Sequence, residues 1–188
     1  MKRWTFSFLK TRKTSTFEKE FEFDFLNFEL TAKLRFKKGS QYFIQGFSDD
    51  GDDEIYGKIW IDFTIDPLEL PNKWSEIYFD LVDVIRHEME HLTQAGWNEK
   101  SGKWHKDDSF KRNLINQGKL DAYLYLLLPK EIDANLQGLA LKSRKKKESM
   151  INTIEHYLDS EKINAEKKRF VIEVWRKQAI QIGGIPKF

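Results

Sequence analysis

Five residues, His87-Glu88-Met89-Glu90-His91, constrain this chain more than any other stretch. On an α-helix, residues four apart share a face, so both imidazoles can reach one ion while Glu88 sits beside it. The surrounding sequence predicts such a helix over Ser75–Gln94, because Ile77, Leu81, Val84, Ile85, Glu88 and Leu92 recur at helical spacing. Pro71 and Asn72 precede the run and Gly96 follows it, the expected punctuation of a helix. The plain alternative is a chance pair of surface histidines. The intervening Glu and the helical context weigh against it.

The chain has no Cys, which excludes disulfides and thiolate metal sites and leaves His and carboxylates as ligands. A catalytic zinc needs three protein ligands and an open position, so a third must lie beyond His91. The metzincin pattern, which would place a Gly three and a His six residues after His91, fails, because Gln94 and Trp97 stand there. Glu131 is the best candidate. Pro129 suits the first turn of a helix and puts Glu131 close to its N-terminus. Ile132, Leu136, Leu139 and Ala140 form the core stripe of that helix. Ala134, Asn135 and Gly138 share a face with Glu131 and are small enough for close approach, whereas Asp133 points elsewhere. His105, Asp107 and Asp108, in a polar segment Ala95–Asp108 read as a loop, are the alternatives.

Residues 1 to about 66 read as strands. Phe21, Phe23 and Phe25 alternate with charged residues, and Leu30, Ala32, Leu34 and Phe36 repeat the pattern after a break near Asn27. Lys37-Lys38-Gly39-Ser40 predicts a hairpin turn into a strand at Gln41–Phe47. The acidic run Asp49–Asp53 lacks the spacing of a helix-loop-helix calcium site and reads as a solvated turn. A strand from Glu54 to Ile65 follows, and its segment Gly57-Lys58-Ile59-Trp60 is a candidate edge for pairing with an extended peptide. Phe110–Leu128 predicts a helix broken by Pro129. Ile163, Phe170, Val171, Val174 and Trp175 mark a last amphipathic helix, ended at Gly183-Gly184.

His87-Glu88-x-x-His91 followed by Glu131-Ile132-Asp133-Ala134-Asn135 resembles the gluzincin group of zinc metallopeptidases. It is similar in particular to ImmA/IrrE-like proteins and to small phage-encoded peptidase-like proteins. The likeness runs from His87 to Asn135. It implies a zincin-like fold, one Zn²⁺ held by His87, His91 and Glu131, Glu88 as general base, and a peptide or protein substrate. Tyr123, Tyr125, His105 and His156 are candidates for stabilising an oxyanion.

The expectation is therefore a single α+β domain over residues 1–188. An N-terminal antiparallel sheet (1–66) packs on the motif helix, and residues 72–188 are mainly helical. Net charge is only +2, so bulk electrostatics demands no nucleic-acid partner. Lys142-Ser143-Arg144-Lys145-Lys146-Lys147 is the one strong basic run; it lacks interleaved aromatics and reads as a solvated helix end. No apolar leader follows Met1-Lys2-Arg3 and no run approaches membrane-spanning length, which predicts a cytoplasmic protein without a membrane partner. The rival to an enzyme is a zincin-like scaffold that binds a partner without catalysis, conceivably a nucleic acid through the basic run.

Overall fold

The period-two pattern of the N-terminal third becomes a four-stranded sheet in the computed structural model, which describes residues 14–23, 26–49, 56–101 and 103–188. The protein is α+β. Strands β1 (Thr14–Phe23), β2 (Leu26–Phe36), β3 (Phe43–Asp49) and β4 (Tyr56–Ile65) precede five α-helices. These are α1 (Leu70–Ser101), α2 (Lys103–Asn116), α3 (Pro129–Lys146), α4 (Met150–Ser160) and α5 (Ala165–Ile182), with a 3₁₀ helix at Ala122–Leu127. The chain divides into two compact units, 1–88 and 89–188. Among the described residues no helix is long and apolar enough to cross a membrane.

In the first unit the strand order is β1-β2-β4-β3, and the sheet is mixed rather than antiparallel because β2 and β4 run parallel. The turn expected at Lys37–Ser40 forms, with Gly39 at φ 73°. The strands it joins are not neighbours, since β4 lies between them. β4 is an interior strand whose inward residues Ile59, Ile61, Phe63 and Ile65 are all buried, while Lys58 and Trp60 on its other face are exposed. This overturns the reading of Gly57, Lys58, Ile59 and Trp60 as an edge. That segment pairs with β2 on one side and with β3 on the other, and β3 is the edge. The acidic residues 50–53 and the first 13 residues lie outside the described residues.

Phe63, Ile65, Leu70 and Ile77 form the core of this unit, with Leu34, Phe36, Tyr42, Ile44 and Leu81 against it. Tyr42 donates to Asp80 of α1 (2.7 Å) and ties the entry of β3 to the helix. Asp66 closes the corner between sheet and helix by accepting the N–H groups of Gly39 (2.6 Å) and Leu68 (2.9 Å). Those two bonds hold its carboxyl below its ordinary value. A depressed folded pKa contributes stability above the ordinary pKa of about 4, and that contribution is lost as pH falls through the folded value. Asp66→Asn is therefore expected to lower the urea midpoint at pH 7, with the deficit shrinking below about pH 4. A deficit unchanged from pH 7 to pH 2 would contradict this.

Helix α1 is longer than the 75–94 span in the sequence reading and runs through Gly96. A single interior Gly costs only about 1 kcal/mol, too little to end it. Residues 95–101 and 103–108 are accordingly helical and not a loop, as the end of α1 and the start of α2. The helix expected over Phe110–Leu128 stops at Asn116, where Gly118 (φ 67°) turns the chain, and resumes as the 3₁₀ helix capped by Asp121.

In the second unit Pro129 does open α3, and the predicted stripe of Ile132, Leu136, Leu139 and Ala140 is buried. It packs with Met150, Ile154 and Leu158 of α4 and with Val171 and Trp175 of α5. Trp175, fully buried, donates its indole N–H to the Leu126 carbonyl (2.8 Å). Phe170, assigned to the same stripe by sequence, is exposed. The basic run is the C-terminal end of α3: Arg144, Lys145 and Lys146 fill its last turn, where cations complement the helix dipole.

Candidate metal centre

His87 and His91 stand one turn apart on α1, and α3 contributes Glu131 near its start. One potential ligand atom from each of the three lies within 4.8 Å of the others. Glu131 is 1 % exposed, and its Oε1 sits 3.6 Å from His91 Nε2. Position helps the buried carboxylate, because the first turn of a helix favours negative charge. Ala134, Asn135 and Gly138 are buried on α3, as the sequence reading required.

The hydrogen bonds of Gln94 orient the ring of His91. The Gln94 amide nitrogen donates to the Lys130 carbonyl (3.1 Å) and to Asp133 Oδ2 (3.1 Å). Both partners accept, so the amide oxygen must be the atom facing His91 Nδ1 at 3.1 Å. Nδ1 of His91 is therefore the nitrogen that donates to Gln94, and Nε2 is the one on the Glu131 side. A ligating His is oriented in this way, by a hydrogen bond from its second nitrogen. Sequence reading used Gln94 only to exclude a third His. Its position three residues after His91, on the same helical face, was the available signal.

Arg112 of α2 was also missed. Its guanidinium lies 2.7 Å from Glu131 Oε1 and 5.2 Å from the centre of the Tyr125 ring. It offsets the charge of a carboxylate that is otherwise expensive to bury. Nothing in the local sequence marks it, because the pair joins two helices 19 residues apart.

The other candidates separate clearly. Asp108 is buried and accepts the Lys130 N–H (3.3 Å) at the start of α3; its Oδ1 has no hydrogen-bond partner, and burial raises its pKa. It caps the helix that carries Glu131 and is not one of the three clustered groups. His105 and Asp107 lie in α2, with their side chains outside the described residues. Tyr125 lies under Arg112. Tyr123 packs under Lys167, and His156, its side chain 69 % exposed, faces Glu148 (3.4 Å).

Glu88 points along a different stripe of α1 from the two histidines. It continues the line of Ile77, Leu81 and Val84 and is 7 % exposed. Its carboxylate lies against Gly46 of β3: a Cβ placed on Gly46 would fall 2.6 Å from Glu88 Oε1, 2.6 Å from its Cγ and 2.6 Å from Val84 Cγ1. No family model, curated protein or solved structure matches the chain.

Proposed function

We propose that the protein is a zinc-dependent peptidase of zincin type, with His87, His91 and Glu131 as ligands and Glu88 as general base. The observation that carries this is the clustering of two imidazoles and one buried carboxylate, with Nδ1 of His91 held by Gln94. The donor set suits zinc, since two His and one Glu leave a coordination position open. A zinc ion there supplies Lewis acidity, which acidifies water towards a pKa of ~7 and polarises a carbonyl. Glu88 takes the proton of the attacking water and returns it to the leaving amine. Arg112, the described cation nearest Glu131, is the candidate for stabilising the developing oxyanion. An extended peptide would add its main chain to the exposed edge of β3 rather than to β4.

The test is cleavage of a mixed peptide library by the zinc-loaded protein, read by mass spectrometry. Wild type is expected to release fragments, and Glu88→Gln to retain zinc while cleaving roughly 10²- to 10⁴-fold more slowly. Zinc retained in both with no difference in cleavage would mean a binding scaffold instead.

A further inference from the structure

We propose that Gly46 is a positioning residue for Glu88, holding the base in place by having no side chain. This deepens the peptidase reading and rests on it. Gly46 is an inward position of β3, in register with Ile61 of β4 and, through it, with Ala32 of β2. Its neighbours Ile44 and Ser48 also face inward, and along β3 inward positions alternate with the exposed Phe43, Gln45, Phe47 and Asp49. At Gly46 alone on this strand, helix α1 comes too close for a β-carbon. The backbone does not demand a glycine, because Gly46 is not among the residues with positive φ. Space demands it, and two of the three nearest atoms belong to Glu88.

The consequence is specific. A carboxylate on three rotatable bonds is a poor base unless something limits where it points. Here one wall of its seat is the main chain of the edge strand. A methyl group at Gly46 overlaps Glu88 Oε1 and Cγ and must push the carboxylate aside. The atoms nearest that methyl belong to Glu88 and Val84 and not to the metal ligands. Gly46→Ala should therefore damage the base and spare the metal.

The probe is acetohydroxamate binding to the zinc-loaded protein, followed by calorimetry alongside zinc affinity from chelator competition. A hydroxamate on the zinc donates a proton to a correctly placed Glu88. Losing a hydrogen bond to a charged group costs about tenfold or more in affinity. Gly46→Ala is expected to hold zinc within about threefold of wild type and to bind acetohydroxamate about tenfold more weakly, as Glu88→Gln does. The double variant should be no worse than either single one, because both remove the same contact. Gly46→Ala/Val84→Ala relieves the overlap with Val84 and keeps that with Glu88, so it supports the idea by showing the same weakening in a less strained fold. Wild-type acetohydroxamate affinity in the Gly46 variants, additive losses in the double variant, or a parallel loss of zinc would overturn the assignment. If Glu88→Gln itself leaves acetohydroxamate affinity unchanged, the peptidase reading fails, and the role given to Gly46 fails with it.

Discussion

Replacing Glu131 by Ala is expected to lower the zinc affinity of the chain by more than about 100-fold. Changes that merely reorient a ligand already cost 10- to 100-fold, and this one removes the ligand and the anion together. His87 and His91 remain on α1, but two neutral imidazoles leave the dipositive ion without a charge partner among the three clustered groups. Glu131→Gln should fall nearly as far, because it keeps the shape and an oxygen but not the charge. Competition against a chelating dye measures both. Affinity within tenfold of wild type in Glu131→Ala would place the third ligand elsewhere, with His105 and Asp107 of α2 the next residues to change.

Arg112→Ala is expected to act with the opposite sign on zinc. In the metal-free protein it strips the guanidinium from a buried carboxylate, and breaking such a pair from one side costs about 3 kcal/mol. Losing the stacking on Tyr125 adds about 0.5–1 kcal/mol. Bound zinc offsets most of this, since the metal replaces the missing positive charge next to Glu131. By linkage, a variant destabilised more without metal than with it binds the metal more tightly. Urea unfolding in chelator and in saturating zinc gives both numbers. An equal deficit in the two conditions would show that Arg112 does not share its role with a metal.

The candidate site was legible where one helix encodes it. Spacing alone placed His87, Glu88 and His91, and the Pro129 start signal with the small residues of α3 singled out Glu131 over Asp133. What escaped was whatever depends on contacts between elements. Arg112 reaches Glu131 from a helix with no motif of its own, and Asp108 looked like a ligand until its capping of Lys130 was seen. The sheet shows the same boundary. Alternation marked Leu30, Ala32, Leu34 and Phe36 as one face of β2, because burial imposes period two. Strand order does not follow from alternation. The Lys37–Ser40 turn suggested adjacent strands, whereas β4 lies between them, a long-range pairing with β2 that no local pattern encodes. Gly96 misled because one glycine weakens a helix without stopping it, whereas Gly118, in the left-handed region, does mark an end.

The most direct test is the metal content of protein purified free of metal, re-supplied with Zn²⁺ and dialysed, measured by mass spectrometry beside His91→Ala and Glu131→Ala. One zinc per wild-type chain, absent from both variants, is the predicted result. A wild-type chain that retains no stoichiometric zinc would contradict the metal centre and the peptidase built on it.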